Sequence, residues 1–447
     1  SDQGFDESLI HLAGGIGQVG DFTNYFKKET SYFDPVLWHN NKQKAYKGYC
    51  SDIFTENAID FIEKNHEQPF FCYLSFNAPH TPLQVPEKYY QMYKDIDPSD
   101  GIDPKLLPVE DINEKSDEDA RKVYAMVTNI DDNLKRLFQK VETLGIQDNT
   151  IIIFMTDNGP QQARYVAGMR GRKSSVHRGG IRVPFFMSYP SKFEGNRELD
   201  DMAAHIDLLP TLSLLCAAPT DQDRKIDGRS FVPALEGKAL AERSFFSYWT
   251  RKFPEKYNNV AIQRGNFKLF GKKDFDASVD DFELYNLEED PFEKNNLVAQ
   301  NKEKAASLRT EMDALISELT TSPNLVNSPR IAIGTPHENP VYLNRNDAGG
   351  ERAVWSQEQV FSYWKVDLEK GVYNLKFKFL KPLKTGGEMF LELGQSILKK
   401  HNPLAETDLL QWKGVSLPQG QFDFIPFYRK QRRSNYFPLW VEIERVD

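Results

Sequence analysis

Thr150 to Thr156 reads TIIIFMT, an unbroken run without a charge, and it stops at Asp157-Asn158-Gly159-Pro160. A short continuous apolar run bounded by a turn is the pattern of a strand buried on both faces of a sheet. Glycine followed by proline then forces the chain to change direction. An acid and an amide therefore stand just past the carboxyl end of a central strand, where open α/β sheets hold their ligands. Beyond the turn come Arg164, Arg170, Arg172, Lys173, His177, Arg178 and Arg182, with no acidic residue among them. Gly168, Gly171, Gly179 and Gly180 let the backbone approach a bound group closely. Oxygen donors for a hard cation, followed by a cationic loop punctuated by glycines, compose a site for a metal and an anionic ester. Taken alone, Asp-Asn-Gly is more often only a turn; its position at a strand end makes it a candidate.

A second apolar run, Phe70–Phe76, ends in Asn77-Ala78-Pro79-His80-Thr81-Pro82. Two prolines flank His80 and stiffen it, which suits a preorganised donor, and a purely structural histidine is the alternative. Asp52 or Thr55 is placed to cap a helix that carries Ile53, Phe54, Ala58, Ile59, Phe61 and Ile62 and ends near Asn65. Residues Pro86 to Ser116 form a charged, proline-rich connector. Val123, Val127, Ile130, Leu134, Leu137, Val141 and Leu144 repeat every three or four residues, which predicts a helix over Asp117–Leu144 stopped by Gly145. A strand–helix–strand crossover from Phe70 to Met155 follows, with a third strand over Val183–Met187 and a helix capped by Asp207 running through Leu215. Together these give a doubly wound α/β core. Ser1 to Asn40 reads as loop, in which His11 and Gly14-Gly15-Ile16-Gly17 either line a pocket or form a surface turn.

At 447 residues the chain exceeds one ordinary core. Three units are expected: an α/β core over 1–240, a smaller subdomain over 241–325 and an accessory β domain over 340–447. Short runs at Phe245–Tyr248, Val260–Arg264, Phe267–Leu269 and Phe282–Tyr285 predict a small antiparallel sheet, covered by an amphipathic helix over Ala305–Leu319. Thr320 to Pro340 reads as a linker. Past Asn344, Tyr373, Leu375, Phe377 and Phe379 alternate with polar residues, as do Met389, Leu391 and Leu393, which predicts an all-β sandwich. That sandwich either binds glycan through exposed Trp355, Trp364 or Trp412 or simply packs on the core. A net charge of −9 excludes a general nucleic-acid binder, since the basic loop is local. With a mean hydropathy of −0.58 and no run of spanning length, no membrane span is expected. Of the three cysteines, Cys72 and Cys216 sit in apolar runs and read as small core residues.

NAPHTPL (77–83), TDNGP (156–160), the Lys173–Gly180 segment with IRVPFF, HIDLLPTL (205–212), DGRSFVPAL (227–235) and ELYNLEEDPFEKNNL (283–297) stand in the order seen in the sulfatases. From GFDE at Gly4–Glu7 to about Leu319, the chain resembles this formylglycine-dependent branch of the alkaline phosphatase superfamily. The resemblance implies an alkaline-phosphatase-like fold with a large mixed central sheet flanked by helices. It implies that Asp157 and Asn158 are two ligands of a calcium ion, and that His80 and Lys173 hold the sulfate and take part in catalysis. Where many sulfatases have an aromatic and then Glu before the glycine pair, this chain has His177 and Arg178. His177 is accordingly a candidate substrate contact, a structural swap being the alternative.

The implied activity is hydrolysis of sulfate esters, with a sulfated carbohydrate as the substrate class and a periplasmic or extracellular location. A phosphoester or phosphonate hydrolase of the same superfamily and a non-catalytic glycan-binding relative are the alternatives. The family nucleophile, formylglycine made within a Cys/Ser-x-Pro-x-Arg motif, has no counterpart here; Ser188-Tyr189-Pro190-Ser191-Lys192 ends in Lys and lies after the basic loop. The expectation is that this motif and further metal ligands lie upstream of Ser1. On that expectation the chain alone is inactive and an N-terminal fragment acts as a second chain.

Overall fold

The computed structural model describes residues 4–447 apart from 13, 104–105, 107–112, 221–222, 251–253, 274, 352–356, 384–385, 403–405 and 431–433. Trp355 therefore lies outside the described residues. In chain order the first elements are β1 (Leu9–Ile10), β2 (Val36–His39) and β3 (Lys42–Ala45), then α1 (Cys50–Asn65), the single turn α2 (Glu87–Tyr90) and α3 (Glu114–Thr143). The three strands form an antiparallel sheet, so part of the stretch read as loop is sheet.

Asn113 begins α3, its side chain accepting from the Ser116 N–H at 3.1 Å, and Gly145 follows the helix at φ +68, a backbone conformation that glycine adopts without strain. The buried stripe runs Ala120, Val123, Met126, Ile130. Val127, expected on that face, is turned out to solvent. Asp52 does not cap α1; Tyr49 occupies that position without a side-chain bond. The Asp52 carboxylate instead accepts from the Asn129 and Asn133 amides at 2.8 and 2.7 Å, joining α1 to α3 by hydrogen bonds to buried side chains. Around this joint Ile16, Tyr32, Leu37, Tyr49, Ile53, Phe54, Ala78, Met126 and Ile130 form one core.

The apolar run at 150–156 becomes β4 (Ile152–Met155), which pairs antiparallel with β5 (Phe185–Ser188) after the four-residue helix α4 (Arg178–Ile181). Residues 70–76 enter no ladder among the described residues, so the expected parallel crossover is absent there and this layer is a two-stranded ladder. With one hydrogen-bonded neighbour, β4 is half-buried rather than covered on both faces. Phe186 is 66% exposed, and Phe71 and Tyr73 are exposed as well. Helix α5 (Leu208–Leu215) follows, and the Asp207 carboxylate before it accepts from the Ala204 and Arg229 N–H groups and from the Arg243 guanidinium.

Strands β6 (Ser244–Tyr248), β7 (Asn258–Arg264), β8 (Phe267–Lys272) and β9 (Glu283–Asn286) make an antiparallel meander. The Lys302–Thr320 helix lays Ala305, Leu308, Met312 and Ile316 on it, the spacing an amphipathic helix requires. The C-terminal residues form two facing sheets around a shared core that includes Phe377, Phe379, Leu391, Phe424 and Ile443. Ile331–Ile333 already belongs to the larger sheet, paired parallel with Ser362–Leu368, so the segment read as linker ends sooner than expected. Trp364 and Trp412 are buried in this core, 0% and 4% exposed, and the proposed glycan contact through them is corrected by the alternation that turns both inward. Cys216 is exposed and Cys72 partly so, leaving Cys50 as the buried cysteine. Phe22 stacks on Tyr342 at 5.0 Å and lies 5.4 Å from Trp440, while Trp38 meets Tyr342 edge-on, so the sandwich is packed against the β1–β3 sheet. None of the helices among the described residues is long and apolar enough to cross a membrane.

Asp52→Ala should lower stability by about 1–3 kcal/mol, because it leaves the buried Asn129 and Asn133 amides without their shared acceptor. Denaturant unfolding of the variant against the parent measures this.

Candidate active site

The turn after β4 is built by its own side chains. The Asn158 N–H donates to Asp157 Oδ1 at 2.8 Å, and the Asn158 amide donates to the Gly159 carbonyl at 2.9 Å. That leaves Asp157 Oδ2 and Asn158 Oδ1 uncommitted among the described residues, on an exposed and a partly buried residue respectively. One residue earlier, the Thr156 carbonyl is contacted by His205 Nε2 at 2.9 Å, a neighbour that the HIDLLPTL motif contained but that had no assigned role.

The basic loop folds back onto this turn by backbone contact. The Gly159 N–H donates to the Gly180 carbonyl at 2.9 Å, Gly179 N–H to Arg170 at 2.7 Å, and Lys173 N–H to Pro160 at 2.8 Å. A Cβ on Gly159 would lie 1.8 Å from the Gly179 oxygen, and one on Gly180 would lie 2.1 Å from the Ser175 oxygen, so only glycine fits either place. The backbone of Lys173 is thereby held against the turn that carries Asp157 and Asn158. Lys173 is partly buried, and among the described residues its ammonium makes no hydrogen bond or ion pair.

His80 is fixed from another side. Its Nδ1 lies 2.8 Å from the Thr81 carbonyl, which places the proton on Nδ1 and leaves Nε2 for a ligand. Gln18 donates to the same carbonyl at 2.9 Å and to Thr81 Oγ1 at 3.1 Å, while Tyr32 donates to the His80 carbonyl at 2.7 Å. The Gly14–Gly17 run is no surface turn: Ile16 is fully buried and its N–H donates to Asn77 Oδ1 at 3.2 Å. Among the described residues no hydrogen bond or ion pair joins His80 to Asp157, Asn158 or Lys173.

His177 takes a different place from the one expected. It is 6% exposed, packed 4.0 Å from the Phe270 ring, with Nδ1 3.4 Å from Glu293 Oε1. Glu293 is fully buried; it accepts from Lys268 Nζ at 2.7 Å and from the Arg178 N–H at 2.7 Å. Lys268, also buried, donates in addition to the Val176 carbonyl at 2.7 Å. The expected substrate contact at His177 is therefore corrected to a buried ion-pair cluster that holds 176–178 against β8, the imidazole being drawn inward by a carboxylate. Burial works to raise the Glu293 pKa, but the contacts with His177 and Lys268 outweigh it and hold the carboxyl down to about 2. Burial pushes the Lys268 pKa down, with Glu293 opposing. Arg170 extends the cluster, donating to Glu283 at 3.1 Å and to Tyr285 at 2.7 Å. Sequence reasoning missed Glu293 and Lys268. The first stood inside a quoted motif without a role, and the second occupied a strand position that alternation assigns to solvent.

A calcium ion takes six to eight oxygens. Asp157 and Asn158 offer the right donor type but only two uncommitted side-chain oxygens, and no group of three His, Cys, Asp or Glu gathers as a metal site among the described residues. The donor chemistry fits a hard cation; the number of donors falls short of a full shell.

Comparison with known proteins bears on this site. The Sulfatase family model matches residues 2–216, and the model described as N-sulphoglucosamine sulphohydrolase, C-terminal, matches residues 172–322. The chain is similar to the uncharacterized sulfatase YdeN of Escherichia coli (30% identity, 49% of this chain and 37% of the relative). It is also similar to an N-acetylgalactosamine-6-O-sulfatase of Bacteroides thetaiotaomicron (25% identity, 70% of this chain and 56% of the relative). The chain thus spans less than two thirds of the length of each. Among solved structures, Ps i-CgsB superposes with a TM-score of 0.57 at 26% identity, covering 70% of this chain and 67% of that one.

Two outcomes follow from the geometry. Gly159→Ala should displace the basic loop from the turn, read as faster hydrogen exchange at the Gly159, Lys173 and Gly179 amides. Glu293→Ala should cost about 3–5 kcal/mol at neutral pH by leaving Lys268 buried without its partner. Because the folded pKa is depressed, the Glu293 contribution is complete above the ordinary value of 4.5 and is lost as pH falls towards about 2. The stability gap between parent and variant should close over that window in acid unfolding measurements.

Proposed function

Since the chain belongs to the sulfatase family, we propose that it serves the hydrolysis of sulfate esters, with a sulfated carbohydrate as substrate. The observation that carries this reading is the backbone closure that sets Lys173, whose ammonium makes no hydrogen bond or ion pair among the described residues, against the Asp157–Pro160 turn through its N–H bond to the Pro160 carbonyl. A sulfate ester keeps negative charge on its terminal oxygens and develops more on the leaving oxygen as the bond breaks. Lys173 neutralises the terminal oxygens, and His80, with Nδ1 committed to Thr81, presents Nε2 to the ester as proton donor when protonated. Asp157 and Asn158 are the residues that would hold calcium, which when bound would draw charge from the sulfate oxygens. No Cys/Ser-x-Pro-x-Arg stands in the sequence, so a formylglycine nucleophile of the family's kind would come from residues outside it. Neither Cys72 nor Cys216 offers one. A polymeric sulfated substrate fits action in the periplasm or outside the cell, and the similarity to an N-acetylgalactosamine-6-O-sulfatase supports a sulfated amino sugar.

Binding is the direct test on Ser1–Asp447. Inorganic sulfate titrated calorimetrically should bind, and Lys173→Ala should weaken it by about tenfold or more, the loss of one charge-assisted contact. Unchanged sulfate affinity in both Lys173→Ala and His80→Ala would remove these residues from the anion site and sink the reading.

A further inference from the structure

The segment that carries His80 is braced by a side chain with no part in the chemistry proposed above. Gln18 reaches across from the Gly14–Gly17 run, and its amide nitrogen donates to the Thr81 carbonyl at 2.9 Å and to Thr81 Oγ1 at 3.1 Å. That carbonyl is the oxygen that accepts from His80 Nδ1 at 2.8 Å. Turning the amide over would set Oε1 against the carbonyl, two acceptors face to face, so the nitrogen belongs there. It also lies 3.2 Å from Nδ1 itself; with both amide protons committed to Thr81, this is a packing contact that closes the Nδ1 edge of the ring. A Cβ built on Gly15 would stand 3.5 Å from Nδ1 and 3.4 Å from the Gln18 side chain, so backbone flanks the pair. Gln18 is fixed in turn. Its N–H donates to the Gly15 carbonyl at 3.1 Å, and its carbonyl accepts from the Asp21 N–H at 3.0 Å. The fully buried Asp21 carboxylate accepts from the Gly17 N–H at 2.8 Å, the Thr23 hydroxyl at 2.8 Å and the Asn24 amide at 3.0 Å.

We infer that Gln18 is a positioning residue for His80: it holds the Thr81 peptide so that its carbonyl keeps the Nδ1 proton and Nε2 is the nitrogen left for the anion. This rests on the proposed sulfatase reading, in which His80 meets the sulfate, and adds what fixes the imidazole for that task. In a neutral imidazole one nitrogen carries the proton, and the bond made by the other ring nitrogen decides which. In the imidazolium that meets a sulfate, the Nδ1–H bond to Thr81 leaves Nε2–H as the donor. Both states depend on where the Thr81 carbonyl points. Its two lone pairs take one proton from His80 and one from Gln18, and the preceding peptide is held by Tyr32, which donates to the His80 carbonyl at 2.7 Å. Without the Gln18 amide the Thr81 carbonyl keeps the imidazole as its side-chain partner but loses its second anchor, and the ring can turn with the peptide. A donor whose orientation is held by surrounding hydrogen bonds binds its ligand without first having to be ordered.

Two readouts on the full chain test this: the ring-nitrogen chemical shifts of His80 in histidine-labelled protein, and calorimetric titration with inorganic sulfate. The variants are Gln18→Met, which keeps the side-chain length and removes the amide, His80→Ala, and the two combined. In the parent the neutral ring should show the Nδ1-protonated tautomer, and in Gln18→Met a mixture of both. Gln18→Met should weaken sulfate by about fivefold, the order of one hydrogen bond, and should add nothing further to His80→Ala. An equal loss on both backgrounds means that Gln18 acts on the anion without His80 and overturns the positioning role. A tautomer and a sulfate affinity unchanged in Gln18→Met overturn it as well, and the sulfatase reading then stands so long as the parent binds sulfate and His80→Ala weakens it. A parent that binds no sulfate overturns both. Should Gln18→Met unfold below the parent's temperature, Gln18→Ala is read in its place against the same outcomes.

Discussion

Backbone lies on backbone where the Gly159 turn meets Gly179 and Gly180, and the candidate site depends on that contact. The carboxylate and amide oxygens come from one segment and the ammonium from another, and no side-chain bond joins them among the described residues. What brings the two segments together is the absence of Cβ atoms at the positions where they cross. Close approach of this kind costs conformational entropy that glycine loses on folding. The cost is offset behind the loop, where Glu293, Lys268, Arg178 and His177 fix residues 176–178 to the meander. A buried carboxylate with three cationic or N–H neighbours is a stiff support, because removing any one of them leaves charge in a low-dielectric interior.

Elements whose stability comes from a single amphipathic face were legible from sequence. The α3 and Lys302–Thr320 helices, the β6–β9 meander and the alternating strands of the sandwich carry their own periodicity. Errors arose where a pattern depends on what lies opposite. An apolar run says that a strand would be buried, and β4 has one neighbour to bury it. Residues 70–76 are as apolar as any strand and yet join no ladder among the described residues. Tryptophan invites a surface reading in a β domain, but period two sends Trp364 and Trp412 to the inside.

At the site the same division holds. The turn after β4 was legible because glycine and proline mark it, whereas the roles proposed for Lys173 and His80 rest on the family resemblance rather than on a local pattern. Nothing local marks Lys268, whose buried amine makes sense only with Glu293 supplied from a segment 25 residues later in the chain. His177 was misread for a related reason. A histidine in a basic loop looks like a ligand until the carboxylate that draws it inward is visible.

The aromatic joint of Phe22, Trp38, Tyr342 and Trp440 has a bearing on how the sandwich stays in place. Three ring pairs contribute stacking of about 0.5–1.5 kcal/mol each beyond the area they cover. Two separate chains would first have to offset on the order of 4–15 kcal/mol of lost translational and rotational freedom. Here the partners belong to one polypeptide, joined through the stretch between the Lys302–Thr320 helix and Ile331. Effective concentration across so short a tether is on the order of millimolar. The joint can therefore remain closed with only a modest intrinsic affinity, and its strength is set by the length of the connecting chain as much as by the rings.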